Sequence, residues 1–422
     1  MLPQSEGFKA AMTDVRARIA SAKRHGTHSG MIDYSGCINI CNELVSIVDE
    51  TDALISDGEY RLAFSIDLLV LTNCAKLAST GDSSSGCLND AVYYTNEAIA
   101  KICSSVLPDK EAAQFIFLSA LKESRNKAYD GWSEFVYDLL KYVASLATAE
   151  NVDKLYALLD EMRDKQAPRP YETYRDLDCQ VRYEALKATE GTEIADKYIN
   201  DNLQHDGVRR IAVDNSVARK EYGAAEKICW DRIAAIDPEN YHWAREWYRR
   251  LFDVFAAAED MEKQAELAEE LLLNRGDYEY YSALKSLLTT QNRWADEYPK
   301  LITALADCIP AERYMEILSE EDEQVLLLEQ IRKKPSYIFT YGKKLAKHYP
   351  SEAFSLCAEA IRNRAGNANT RAMYRQVCGD IKKLVSYGGR DDALAILQEL
   401  KEKNQRRPAF LEELQFISDR IQ

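Results

Sequence analysis

The stretch Glu59-Tyr60-Arg61-Leu62-Ala63, which follows the turn Ser56-Asp57-Gly58, predicts the fold. Its spelling, Glu-Tyr-x-x-Ala, returns at Glu221-Tyr222-Gly223-Ala224-Ala225, and Gly388-Gly389-Arg390-Asp391-Asp392-Ala393 opens a comparable segment. Each time, a tight turn is followed by a helix that carries a small residue where it crosses the preceding helix. The phrase therefore indicates stacked helix pairs, which form binding surfaces far more often than catalytic sites.

Composition extends this prediction to the whole chain of 422 residues. The 46% hydrophobic content supports a buried core, and long segments with a 3.6-residue period are not interrupted by a β-hairpin signal. We predict an all-α fold that resembles degenerate tetratricopeptide repeats: an irregular α-α superhelix, or solenoid of helical hairpins. Pro168 and Pro170 interrupt the periodicity, which predicts an N-terminal helical subdomain at 1–167 and a helical-repeat region at 168–422, continuous with the first.

The cysteines and the apolar segments indicate where in the cell the protein is located. Ten cysteines spread from Cys37 to Cys378, mostly on apolar helical faces, read as reduced core thiols. The N-terminus lacks the charged and apolar stretches of a signal peptide. The most apolar run, residues 62–78, contains Asp67, Asn73 and Lys76 and is predicted to be a buried helix, too short and too polar to span a bilayer. We therefore expect a cytoplasmic protein without membrane contact.

The chain also resembles a family, the helical region C-terminal to the zinc module of bacterial SWIM zinc-finger proteins. The residues that carry the resemblance are Asp130-Gly131-Trp132, Tyr280-Tyr281-Ser282-Ala283-Leu284-Lys285 with Trp294, Arg371 with Tyr374, and Arg406-Arg407-Pro408-Ala409-Phe410-Leu411-Glu412-Glu413-Leu414. The SWIM module needs Cys-x-Cys and a later Cys-x-His, and the sequence contains neither. The resemblance thus implies a helical partner-binding region, either part of a longer protein or a homologue without the module.

Motifs for catalysis or cofactor binding are missing from the sequence. It contains no Gly-x-x-x-x-Gly-Lys and no Gly-x-Gly-x-x-Gly, and no nucleophile elbow follows a strand. A candidate zinc set is His25, His28, Cys37 and Cys41, in which the two cysteines share a helix face. The same spacings arise when a link precedes a half-buried helix, and we favour that interpretation. We predict no enzyme activity, no metal and no cofactor.

Charge is distributed unevenly along the chain. The net charge is −15, yet residues 332–407 contain 17 Lys and Arg against 7 Asp and Glu. This basic third could meet an acidic partner or nucleic-acid phosphates, although its cations could also be balanced by acidic neighbours in space. The candidate partner-binding residues are Arg332, Lys333, Lys334, Lys343, Lys344, Lys347, Arg406 and Arg407.

The predicted function is a non-catalytic protein-interaction scaffold with a protein or peptide partner, working with a SWIM-type module. The alternative is nucleic-acid association through the basic third. The sequence identifies neither the partner nor the oligomeric state.

Overall fold

The computed structural model describes residues 6–28, 30–166 and 173–421. These residues form 22 α-helices, and the chain packs as two compact units, Met1–Ala258 and Glu259–Gln422. The boundary predicted at 167/168 falls among residues 167–172, which lie outside the described residues, and it stays a prediction.

The first unit contains twelve of the described helices. They are α1 (Glu6–Gly26), α2 (Tyr34–Ser56), α3 (Tyr60–Thr80), α4 (Cys87–Ser105), α5 (Lys110–Glu123), α6 (Ser133–Val143), α7 (Val152–Gln166), α8 (Thr173–Thr189), α9 (Thr192–Asp201), α10 (Asp206–Ala218), α11 (Tyr222–Ala234) and α12 (Tyr241–Ala257). Single turns of 3₁₀ helix occupy Lys127–Tyr129 and Ala144–Leu146.

The second unit contains the remaining ten. They are α13 (Met261–Arg275), α14 (Tyr280–Thr290), α15 (Trp294–Cys308), α16 (Ala311–Glu320), α17 (Gln324–Lys333), α18 (Ile338–Leu345), α19 (Pro350–Asn367), α20 (Arg371–Ser386), α21 (Arg390–Lys403) and α22 (Pro408–Ile421), with a 3₁₀ turn at Pro335–Tyr337.

Helices pack mainly on their neighbours in chain order. In the first unit α2 packs on α3 and α4, and α3 packs on α4 and α5; in the second, α20 packs on α21 and α22. Such nearest-neighbour packing is the pattern of an α-solenoid. The predicted all-α class, built from successive helical hairpins, is confirmed.

The turn before each repeated phrase has one backbone geometry. The residue two positions before the new helix is left-handed, with φ of 78° at Gly58, 61° at Lys220 and 105° at Gly388. The backbone N–H of the following residue then donates a hydrogen bond to a carbonyl five residues earlier, in the preceding helix. The Glu59 N–H, for example, donates to the Leu54 carbonyl at 2.8 Å. This bond pattern ends a helix and turns the chain sharply into the next one.

The alanine of each phrase lies where the prediction placed it. Ala63 in α3, Ala225 in α11 and Ala393 in α21 are all 0% exposed. Each is the fourth residue of its helix, so its side chain faces the hairpin partner one turn after the reversal. A small side chain at this point allows the close approach of two helix axes.

A short hairpin links α1 to α2 and was not predicted. Its strands, β1 (Thr27–His28) and β2 (Met31–Ile32), pair antiparallel, and Ile32 also forms a parallel bridge with Gly81. A Cβ on Gly36 would lie 2.0 Å from the Gly26 carbonyl oxygen. Glycine is therefore required where the end of α1 meets the start of α2.

Helix α3 is the central helix of the first core. It is 21 residues long and, by length and composition, long and apolar enough to cross a membrane, but 72% of its most apolar window is buried inside the protein. Core helices meet the same criterion. The predicted buried helix is thus present, though longer than the predicted 62–78.

Candidate functional site

A groove of about 690 Å³ lies on the first unit, lined by α1, α3 and α5. Helices α1 and α5 both pack on α3, which lies between them, and an open channel is left along α3. The floor of this channel is apolar. The floor side chains recur at helical spacing on each element: Met12 from α1, Leu68 and Leu69 from α3, and Phe115 and Leu118 from α5.

Four cations surround this floor. Lys9, Arg16, Lys76 and Lys122 line the groove, and all four are exposed. None of them forms an ion pair with any described residue. Burial, and then the like charge of Lys76, lowers the pKa of Lys23 nearby. Several cations thus lie close together on this side of the unit without an ion pair to a described residue.

A single acidic side chain, Glu123, lines the groove among the described residues, and its charge offsets one of the four cations. Glu123 Oε1 accepts hydrogen bonds from Thr72 Oγ1 at 2.9 Å and from Asn126 Nδ2 at 2.6 Å. The other polar lining residues are hydroxyl and amide groups. The groove thus combines an apolar floor with a net positive rim.

Some other cations of the same unit are paired. Arg18 contacts Glu43 at 2.8 Å and Glu50 at 2.7 Å, and Lys101 contacts Asp52 at 2.7 Å. In a chain with a net charge of −15, acidic partners are abundant. What distinguishes the rim is that four cations without an ion pair to a described residue line one groove.

The predicted basic residues of the second unit divide into two sets. Lys334 pairs with Glu312 at 3.0 Å and Lys344 with Asp322 at 3.1 Å. Arg407 donates to the Ala365 carbonyl at 3.2 Å. The remaining five are exposed and have no ion pair with a described residue: Arg332, Lys333, Lys343, Lys347 and Arg406.

Acidic residues outside the segment 332–407 neutralise part of its excess charge. Glu312 and Asp322 precede it, and Glu413, which follows it, contacts Arg371 at 2.7 Å and Arg375 at 3.2 Å. The count of charges along the sequence therefore overstates the positive field of this region.

Of the candidate zinc residues whose side chains the structure describes, only Cys37 and Cys41 belong to one cluster of potential ligands. His25 is exposed, with Nδ1 2.9 Å from the Ser21 carbonyl oxygen, and the His28 side chain lies outside the described residues. Cys37 and Cys41 do lie together, with Cys87 as a third thiol that sequence reasoning missed. Burial raises the pKa of Cys37 to about 11 and also raises that of Cys41.

The fold and these surfaces define a helical-repeat protein, and comparison with known proteins gives no narrower class. No protein-family model matches the chain, and no curated protein matches it.

Two solved structures are similar over almost their whole length. A circular tandem repeat protein with a novel repeat topology and enhanced subunit contact surfaces is 12% identical, with 98% of this chain and 96% of that chain covered and a TM-score of 0.20. An engineered protein solved by a structural genomics consortium is 14% identical, with 96% and 98% covered and a TM-score of 0.24. Scores this low carry no argument about function.

Proposed function

We propose that the protein is a non-catalytic interaction scaffold whose groove between α1, α3 and α5 binds an acidic, amphipathic helical segment of a protein partner. The observation that carries this proposal is the unpaired cationic rim around an apolar floor in a strongly acidic chain. Lys9, Arg16, Lys76 and Lys122 would meet carboxylates, while the floor would take apolar side chains.

A helix suits this groove because its apolar residues recur at i, i+3, i+4 and i+7 and form one stripe. The floor offers such a stripe large side chains, including Met12, Leu69 and Phe115. Complementary charge at the rim increases the association rate and selects partners, whereas burial of apolar surface on the floor supplies most of the affinity.

A non-catalytic role is supported by the chemistry of the lining. The described lining residues include no histidine, cysteine or aspartate, and the one glutamate is held by Thr72 and Asn126. Histidine and the carboxylates are common general acids and bases and cysteine is a common nucleophile, so the lining offers few of the groups that catalysis most often uses. Ten free cysteines also fit the cytoplasmic location that we propose, and association with a SWIM-type module in bacteria remains part of the proposal.

The proposal is tested by selecting binders from a display library of amphipathic helical peptides, with the full chain as bait. We expect acidic peptides to be enriched. Reversing three rim charges together should weaken the selected peptide by about 2–3 kcal/mol, roughly 30- to 150-fold, at about 0.5 kcal/mol for each lost attraction and each new repulsion. The reversed residues are Lys9→Glu, Lys76→Glu and Lys122→Glu.

A matched control carries the same change of net charge away from the groove. Exposed lysines without an ion pair to a described residue are available, and their reversal should leave the affinity within about twofold. Enrichment of basic or neutral peptides, or equal weakening by both triple variants, contradicts the proposal. The control substitutions are Lys110→Glu, Lys197→Glu and Lys220→Glu.

Nucleic-acid association is a second candidate function, favoured by the five unpaired cations of the second unit. A gel-shift assay with DNA and RNA at physiological salt tests it. Binding that is lost when Lys333, Lys343 and Lys347 are changed to Glu, and kept in the groove triple variant, would support this function. Absence of a shift would exclude it.

A further inference from the structure

Three cysteine side chains meet at the start of two helices in the first unit. Cys37 and Cys41 lie one turn apart in α2, and Cys87 is the first residue of α4. Their Sγ atoms all lie within 4.8 Å of one another, and the Cys87 and Cys37 sulfurs are 3.9 Å apart. Thiols of this chain that are remote from one another in sequence are thus gathered at one point.

The spacing fits a zinc ion. A Zn–S bond of about 2.3 Å and tetrahedral angles place thiolate sulfurs about 3.8 Å apart. The observed separations of the three sulfurs, from 3.9 Å to at most 4.8 Å, need to shorten by less than an ångström. We propose that Cys37, Cys41 and Cys87 form a zinc-binding site with three thiolate ligands.

The surrounding backbone holds these ligands in place. Asp33 caps α2 by accepting a hydrogen bond from the Gly36 N–H at 2.8 Å, which fixes the first turn where Cys37 lies. The backbone N–H of Asp82 donates to the Ile32 carbonyl at 3.1 Å and, with the bridge at Gly81, ties the loop before Cys87 to the hairpin.

Charge favours a divalent ion. Three thiols that bind Zn²⁺ release three protons, which leaves a complex with one net negative charge, whereas a monovalent ion such as Cu⁺ would leave two. Cys87 occupies the first position of the 19-residue helix α4, whose N-terminal N–H groups and dipole stabilise negative charge. The site therefore suits zinc better than a monovalent soft ion.

The three-thiol cluster is more accessible from the side of Cys87 than from the side of α2. Cys37 and Cys41 are 0% and 1% exposed, whereas Cys87 is half-buried next to the loop at 81–86. An ion would enter from that side and take water as its fourth ligand, the coordination that leaves one position open to exchange.

The test uses the full chain, reduced and freed of metal, with Co²⁺ and then Zn²⁺ as probes under anaerobic conditions. We expect a thiolate-to-cobalt charge-transfer band that saturates at one ion per chain and is bleached by Zn²⁺. Cys87→Ala should abolish the band and weaken zinc affinity by at least about 100-fold, since even outer-shell changes cost 10- to 100-fold.

The control is Cys103→Ala, a buried thiol on the same helix that is outside the cluster. It should bind both ions as the parent protein does, and far-UV circular dichroism checks that both variants fold. The proposal is overturned if the parent protein gives no charge-transfer band, if Cys87→Ala binds as tightly as Cys103→Ala, or if the cysteines yield only a Cys37–Cys87 disulfide.

Discussion

Replacement of Gly58 by alanine tests the turn that defines the repeated helix pairs. Gly58 has φ of 78°, and an added Cβ would meet nothing within 4 Å. The substitution therefore changes backbone energy without creating a steric clash.

The expected magnitude follows from two opposing terms. An L-residue in the left-handed region destabilises the folded state by about 1–2 kcal/mol. Alanine also has fewer conformations than glycine in the unfolded chain, which stabilises the folded state by about 0.4–1 kcal/mol. Gly58→Ala should thus lower the free energy of unfolding by about 1 kcal/mol.

Two other variants of the first unit are expected to raise the free energy of unfolding. Gly223 lies inside helix α11, where a Cβ also meets nothing within 4 Å, so Gly223→Ala should stabilise by about 0.5–1 kcal/mol. Lys220 occupies the left-handed turn position with φ of 61°, and Lys220→Gly should stabilise by up to about 1 kcal/mol. Urea unfolding followed by circular dichroism measures all three. A neutral or stabilising effect of Gly58→Ala would refute the turn assignment.

Two further predictions concern buried side chains. Burial raises the pKa of Asp67 well above its ordinary value, so the folded chain keeps a proton that the unfolded chain releases above about pH 4, and stability falls as pH rises from there through the folded pKa. Asp67→Asn should therefore stabilise by about 1–3 kcal/mol at pH 7.5 and much less at pH 4.5; equal shifts in urea midpoint at both pH values would contradict this. Phe410 is 0% exposed and stacks on Tyr374 at 4.6 Å, so Phe410→Ala should cost about 3–5 kcal/mol and reduce hydrogen-exchange protection in the second unit. The control Phe416→Ala, at a site 50% exposed, should cost under about 1 kcal/mol, and similar losses for both would contradict the packing described.

Local features of the fold could be predicted from sequence. The reversal at Gly58 and the buried position of Ala63 depend on residues a few places apart, whose conformational preferences are intrinsic. The short hairpin at 27–32 escaped prediction because two-residue strands have no periodicity, and Ile32 is held partly by a bridge to the distant Gly81.

The groove could not be predicted because it depends on packing between helices that are not consecutive. Lys9 and Lys76 are 67 residues apart and Lys76 and Lys122 are 46 apart, and they line one groove only because α1, α3 and α5 lie side by side. Lys76 is the only cation after Arg61 in the apolar helix α3, which indicates a solvent-exposed face but not the cations that gather beside it.

Charge and cysteine patterns were partly informative. The excess of Lys and Arg in residues 332–407 can be read from the sequence. The ion pairs of Lys334 with Glu312 and of Lys344 with Asp322, which offset part of that excess, depend on contacts between helices. Cys37 and Cys41 share a face through local spacing, whereas Cys87 joins them through the packing of α2 on α4. The only local indication in the sequence was that Cys87 begins a helix after a Ser- and Gly-rich loop.

The most direct test of the central claim is a charge-swap cycle on the groove. The selected acidic peptide and a copy with lysine at each acidic position are titrated against the parent chain and against the triple variant at Lys9, Lys76 and Lys122, by fluorescence anisotropy. We predict that the acidic peptide binds the parent chain, and that the lysine copy binds the triple variant more tightly than it binds the parent chain. Unchanged affinity of the acidic peptide for the triple variant, or no gain for the lysine copy, would contradict the account.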